Sequence, residues 1–335
     1  MKKPFVITAA FFAVASALVA QTLNVTAPGY SAVRLFNSTP GFTISGMGAD
    51  SAGTIYYLES DSTFPGPAST KLYKRTAASG YAPTPAIFDY GSAVFGSFVT
   101  VQSGKVYFGE SSANTIRSVN LDGSSPALIG TVIGNFDLAF SGGNAFVSAN
   151  PDVVFPYSNP RNKILKLDLA TGATQAVLDA TPDFSASLEF DASGNLIYGV
   201  AKSTIGGIYR YSAASVASAI ATSTPLVLTP PTSRVLANGG NQYLAYASDS
   251  SLWQDDSNAQ GTLRNYNLGT SGVVNVGTTA SASEYLGHLD YQGSTLYANV
   301  TNFGTNRSAI FGVVPEPSSA VLLAVGVLIF ARRRK

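Results

Sequence analysis

The one histidine of the chain, His288, sits in Tyr-Leu-Gly-His-Leu-Asp-Tyr (residues 285–291), with Asp290 two places on and Glu284 four places before. Alternate residues of an extended strand share a face, so His288 and Asp290 have the spacing of a proton-carrying imidazole and an orienting carboxylate. The nucleophile that such a pair would serve is not specified: serine occurs throughout, and no Gly-x-Ser-x-Gly turn isolates one. The expectation is a structural histidine on an inner strand. Zero cysteines exclude disulfides, thiolate nucleophiles and Cys-ligated metal centres, and a single histidine excludes multi-His metal sites. Asp256, Asn258 and Gly261 open a stretch spaced like a calcium loop, but Asn267 stands at the twelfth position where a bidentate Glu is needed. A solvated turn is expected there and no resident metal or cofactor, with calcium at this loop as the alternative. The run Gly-Met-Gly-Ala-Asp-Ser near Gly46 has no following helix pattern to make it a phosphate loop.

Binding chemistry is better represented. Residues 59–71, 149–163 and 247–262 read as three long connections rich in Asp, Asn and Ser, and they carry Phe64, Phe155, Tyr157 and the only tryptophan, Trp253. Aromatic rings among hydrogen-bonding side chains suit stacking on sugar faces while bonding their hydroxyls. Glu59, Glu110 and Asp249, at or near the ends of the strands that feed these connections, would be the acceptors.

What must position these residues is a repeat. Phrases beginning at Leu72, Ile116, Ile164, Ile208, Leu263 and Ile310 read as strands with polar residues alternating outward, and successive starts lie 44 to 55 residues apart. Each is preceded by a glycine-punctuated hairpin such as Ser-Gly-Lys-Val-Tyr-Phe or Ser-Gly-Asn-Leu-Ile-Tyr. A period of 40 to 50 residues holding about four strands is the signature of propeller blades. The expected fold is all-β, a single propeller of six four-stranded blades, with seven blades or a pair of β-sandwiches as alternatives. The sixth copy supplies only three strands before the C-terminal segment, whereas residues 31–38 form a strand with no blade of their own. Pairing residues 33–36 with 310–313 would complete blade six and remove the open edge.

The two ends read as addresses. Residues 1–20 have a basic start, an apolar run and small residues at the end, the pattern of a secretory signal peptide cut before Leu18 or Gln21. At the other end, Pro315-Glu316-Pro317 precedes a 12-residue apolar run, 320–331, and then Arg332, Arg333, Arg334 and Lys335. As a helix that run would span about 18 Å against a hydrocarbon core of about 30 Å, a marginal anchor, with its basic end cytoplasmic. Setting aside the six basic residues of the two ends and Glu316, the body carries 14 basic against 18 acidic residues, and no basic run marks it for nucleic acid. The domains expected are therefore a signal peptide (1–20), a propeller (21–313) and a C-terminal signal (314–335).

That C-terminal order of Pro-Glu-Pro, apolar helix and basic cluster resembles the PEP-CTERM sorting signal of Gram-negative bacteria. The resemblance implies passage through the secretion machinery, transient anchoring in the inner membrane and processing by the membrane enzyme exosortase, in species that export polysaccharide. The body resembles NHL-type and gluconolactonase-like propellers in the phrase Asp-x-x-Gly-x-hydrophobic-Tyr, seen at Asp50, Gly53 and Tyr56 and again at Asp191, Gly194 and Tyr198. The gluconolactonase resemblance implies a divalent cation over the central channel, but the family's Glu-Gly-Pro phrase on the first inner strand is replaced here by Phe-Thr-Ile-Ser-Gly-Met-Gly-Ala-Asp. Together these readings describe an exported protein of the periplasm, cell surface or extracellular matrix. The expected role is non-enzymatic binding, with exopolysaccharide as the implied partner; a propeller hydrolase or lyase using a divalent metal is the competing class.

Overall fold

The computed structural model describes residues 21–316, apart from 62–68, 92–93, 111, 152–160, 182, 184–185, 201–204, 229–233, 237–242, 248–250 and 257–260. The described chain forms six sheets of four or five strands. Their innermost strands are Phe42–Ala49, Gly96–Gln102, Asn135–Ser141, Leu188–Phe190, Leu244–Tyr246 and Glu284–Gln292. Each packs beside the next, and the sixth beside the first, so the sheets close into a six-bladed propeller around a channel.

Strand patterning follows from this stacking. Second strands such as Ile55–Asp61 and Leu196–Val200 are buried along both faces because a blade has a neighbour on each side. Their near-continuous apolar runs reflect that, whereas the third strand Thr70–Arg75 alternates buried and half-buried positions. The six sequence phrases that set the period are these third strands. The core is correspondingly divided into six clusters, one per blade interface. Tyr56, Leu58 and Leu72 of blade one meet Val99, Val106 and Phe108 of blade two, and Phe36, Tyr297 and Ile310 of blade six meet Ile44, Met47 and Tyr57 of blade one.

The Asp-x-x-Gly phrase builds the turn between first and second strands. Asp50 Oδ1 accepts the N–H groups of Ala52 and Thr54, and Asp191 Oδ1 accepts those of Ser193 and Asn195. Gly53 and Gly194 complete each turn at φ of 75° and 76°, the left-handed region where glycine carries no Cβ penalty.

The N-terminus closes the ring, as the strand count requires. Tyr30–Asn37 lies antiparallel to Arg307–Pro315, with Ala32 facing Val313, Val33 facing Gly312 and Phe36 facing Ile310. An additional strand, Leu23–Val25, extends blade five by pairing with Val273–Thr279. The propeller therefore runs beyond 313: its last strand takes in Val314 and Pro315.

The helix Ala213–Thr222 is one element the strand period does not announce. It is inserted between the third and fourth strands of blade four, capped by the Ser212 hydroxyl, and buries Val216 and Ala219. The following strand, Leu226–Val227, joins the outer edge of blade three in parallel. This insertion lengthens the interval between Ile208 and Leu263 to 55 residues. Among the described residues no helix is long and apolar enough to cross a membrane; residues 1–20, read as a signal peptide, and the apolar run 320–331 lie outside them.

Candidate functional site

Several residues expected to bind ligand are occupied by the fold. Trp253 was expected on a long connection, but Ser251–Asp256 is the second strand of blade five. Its ring is 2 % exposed and packs edge-on against Tyr30, centroids 5.5 Å apart, in the core between blades five and six. Glu59 and Glu110 do stand at second-strand ends, yet both carboxylates are spent internally. Glu59 accepts the N–H and hydroxyl of Thr39, at 2.9 and 2.8 Å. Glu110, fully buried, accepts the backbone N–H groups of Ala113 and Thr115 and the hydroxyls of Ser112 and Thr115. The calcium alternative at Asp256 bears on the first and twelfth positions of its spacing. Asp256 and Asn267 lie at opposite ends of a hairpin, Asp256 facing Thr262 and Asn267 facing Ser251, so strand Thr262–Asn267 separates them by roughly 17 Å. Phe64, Phe155, Tyr157 and Asp249, with Asn258, Pro317 and Arg332 to Arg334, lie outside the described residues.

The side chains that converge are those of the channel. An innermost strand has one unpaired edge, whose N–H and C=O groups face the channel and need partners. Here neighbouring blades supply them. The Thr100 hydroxyl donates to the Leu138 carbonyl at 2.7 Å, linking blades two and three. Asp137 accepts the Leu188 N–H at 3.0 Å, linking three and four. Glu189 accepts the Tyr246 N–H, linking four and five. Asp290 accepts the Ala49 N–H at 2.5 Å, and the His288 ring donates to the Ser45 carbonyl, linking six and one. Between blades one and two Gly46 and Gly48 let the innermost strands approach until a Cβ would meet the Phe98 and Val99 backbone at 2.8 and 2.5 Å.

Toward the strand starts, rings cross the channel. Phe136 of blade three stacks on Tyr243 of blade five, centroids 5.5 Å apart, and Tyr243 meets His288 of blade six at 4.5 Å. Blades three and five are not neighbours, so this contact spans the opening. Below it lies a cavity of about 200 Å³, with Asp137, Glu189, His288 and Asp290 in its wall and Gln102 and Gln292 next to the blade turns.

Burial governs the electrostatics of this chamber. The three carboxylates keep some exposure because the chamber is hollow, yet the channel wall surrounds them. Burial raises Asp137 and Asp290 each to about 6, against the pull of their N–H donors. Glu189 is raised well above the usual carboxylate range, by burial first and then by the charges of Asp137 and Asp290. Burial lowers His288 to about 4, so its ring is neutral near pH 7. A carboxyl whose folded pKa is raised binds its proton more tightly folded than unfolded, so its contribution falls as pH rises from about 4 to 6. Asp290→Asn should therefore raise the melting temperature at pH 7 relative to wild type, and the excess should shrink toward zero near pH 4. Melting curves of both proteins at the two pH values test this, and an excess independent of pH refutes it.

Chemically, the chamber offers carboxyls that keep their protons to higher pH than usual and an imidazole that is neutral near pH 7. The carboxylates come from three blades and each holds a neighbour's amide. Among the described residues no three His, Asp or Glu side chains are disposed to hold a metal ion. A resident divalent cation does not fit this set, because each carboxylate already holds a neighbouring blade's amide. Of this set the sequence singles out only His288 and Asp290, with His288 expected as a structural residue. Asp137 and Glu189 had a signal, a lone acid within an apolar inner strand, but no spacing rule linked them across blades.

Comparisons agree with this architecture. The solved structure of a gluconolactonase from Xanthomonas campestris matches at a TM-score of 0.59 and 11% identity, over 87% of this chain and 94% of that one. The PQQ-bound aldose sugar dehydrogenase of Streptomyces coelicolor matches at 0.53 and 13%, over 85% and 98%. A chain of a nidogen/laminin complex matches at 0.52 and 14%, over 70% and 79%. At these identities the likeness is of fold. No curated protein sequence matches the chain. The chain is thus a six-bladed β-propeller whose residues 313–335 match the PEP-CTERM protein-sorting motif.

Proposed function

We propose that the protein is exported, sorted by exosortase through its C-terminal motif, and serves as a non-enzymatic binding protein of the cell surface or extracellular matrix, associated with exopolysaccharide. The observation that carries this reading is the sorting motif itself. The channel supports it in a second way: its carboxylates and histidine are engaged in holding blades together, as scaffold groups are.

The face for a glycan is the one where innermost strands begin and second strands end. Phe95 precedes the innermost strand of blade two and is 46 % exposed; Phe303 follows the second strand of blade six and is 61 % exposed, backed by Tyr285 at 5.6 Å. These exposed rings can stack on sugar faces. Phe303→Ala should weaken binding of processed protein to the host's own exopolysaccharide by roughly tenfold, the loss of one interface anchor. Its melting temperature should stay put. Isothermal titration with the purified polysaccharide measures the first and calorimetry the second. Wild-type protein that binds no glycan, or that keeps one divalent ion per chain through dialysis, would replace this reading by a scaffold or by a metal-dependent hydrolase or lyase.

A further inference from the structure

The sorting motif and the ring closure share residues. The last strand, Arg307–Pro315, has the second strand of its own blade beside it only as far as Val313, which faces Leu296. Val314 and Pro315 continue with the N-terminal strand alone: Ser31 faces Val314, and Tyr30 faces Pro315. The Glu316 N–H then donates to the Gly29 carbonyl at 2.8 Å. Along an antiparallel ladder, successive amides point alternately toward and away from the partner. Since Glu316 points its N–H at the N-terminal strand, Pro315 occupies a position whose N–H would point away, to the side that the second strand has already left. A strand tolerates proline there. That is how a Pro-Glu-Pro motif can begin inside a blade.

We propose that the N-terminal strand guards the sorting motif: pairing of Gly29, Tyr30 and Ser31 with Glu316, Pro315 and Val314 withholds the upstream side of the motif from its processing enzyme until this short two-stranded ribbon opens. The inference rests on the reading that the motif is processed. An enzyme that takes an extended peptide binds it as an added strand and needs its backbone N–H and C=O groups free. Here the Glu316 N–H is already committed to Gly29, and Val314 and Pro315 are held as a strand against Ser31 and Tyr30. The cleavage itself is acyl transfer, in which water or an amine adds to the carbonyl carbon and the downstream amino group leaves with the proton, so no further reactant is implied.

Opening is a local event, because only two strands and three residue pairs are involved, and local openings cost far less than global unfolding. What resists it lies on the N-terminal strand. The Tyr30 ring is set edge-on against Trp253, the Arg34 guanidinium stands 5.5 Å from the Phe311 ring centre, and Arg34 also donates to the Gln21 carbonyl. A chain whose ring is closed is then processed at a rate set by ribbon opening, and a chain whose N-terminal strand has not docked is processed without that brake.

The test uses the full-length chain, pulse-labelled in cells that carry the processing enzyme, with loss of the C-terminus followed by intact mass. Ser31→Cys with Val314→Cys places two thiols across a hydrogen-bonded pair about 5.5 Å apart at Cα, within the span of a disulfide, and no native cysteine competes. The oxidised double variant should be processed roughly tenfold or more slowly than the same variant kept reduced, and Tyr30→Ala roughly threefold or more faster than wild type. In purified protein the Glu316 amide of Tyr30→Ala should exchange faster by a similar factor, a readout that needs no processing enzyme. Equal rates for the oxidised and reduced forms overturn the guard. A wild-type chain that keeps its C-terminus overturns the sorting reading and the guard with it, and Glu316 exchange then reports the pairing alone. If Tyr30→Ala does not fold, the comparison of oxidised with reduced protein decides.

Discussion

A chain lacking residues 21–37 should lose cooperative folding, or melt far below the intact protein. The segment supplies two strands to two blades. Without it the nine-residue strand Arg307–Pro315 becomes an open edge, and the blade-five strand Val273–Thr279 loses its cover. It also takes two core side chains with it. Leu23 is 6 % exposed between blades five and six; Phe36 is 6 % exposed between six and one, with the Arg75 guanidinium 4.4 Å from its ring centre. Truncating a buried Leu or Phe costs about 2–5 kcal/mol each, against a total stability of about 5–15 kcal/mol for a whole domain. Calorimetry of the two proteins decides the matter. A truncated body that melts within about two degrees of the intact one would mean that the ring closes without its N-terminus, since about 1 kcal/mol corresponds to some 2–4 °C at this size. Adding a peptide of residues 21–40 should restore part of the loss, because the open edge is a template for one strand of that sequence.

The closure was legible because it is a matter of counting. Six third-strand phrases, each with a hairpin before it, leave the last copy one strand short and the N-terminus one strand over. Hydrophobic alternation and turn chemistry carry that information locally, and a ring has only one place to put the remainder. The helix Ala213–Thr222 was not legible in the same way. Its Ala- and Ser-rich sequence is weakly amphipathic, and its Ser212 cap looks like any other serine in a serine-rich chain; only the 55-residue interval hinted that something had been inserted. The channel was harder still. Asp137, Glu189 and Asp290 come from blades three, four and six, far apart in the chain, and each is defined by the neighbouring blade's amide that it holds. No linear motif can encode a partner supplied by the next blade. The strand ends were read correctly at Glu59 and Glu110, but a carboxylate at a strand end serves its own loop as readily as a ligand, and sequence alone does not say which.

Trp253→Ala should cost about 3–5 kcal/mol, the range for emptying a large aromatic from a core, which reverses what its sequence context suggests. The chain from Ala247 to Thr262 is polar and holds Asp, Ser, Asn and Gln around one ring, so it reads as a loop that displays a tryptophan. The missing cue is the pairing. Leu252 faces Tyr246 and Trp253 faces Ala245 on one side, while Asn265 faces Trp253 on the other, so the segment is a central strand with one side chain aimed into each blade interface. Trp253 goes toward blade six, among Leu286, Leu289 and Leu296, and the edge of Tyr30 completes its surroundings. Two further variants separate packing from polarity. The indole Nε1–H is buried with no acceptor among the described residues, so Trp253→Phe removes that donor together with part of the ring and should cost clearly less than Trp253→Ala. Tyr30→Ala should couple to Trp253→Ala by about 0.5–1.5 kcal/mol, the worth of an aromatic pair beyond its buried area, so the double variant is less destabilised than the sum of the singles. Denaturant melts of the four proteins measure the coupling. Strict additivity would mean that the N-terminal strand docks without this contact, and the anchor that holds Tyr30 beside Pro315 would have to be sought in Arg34 instead.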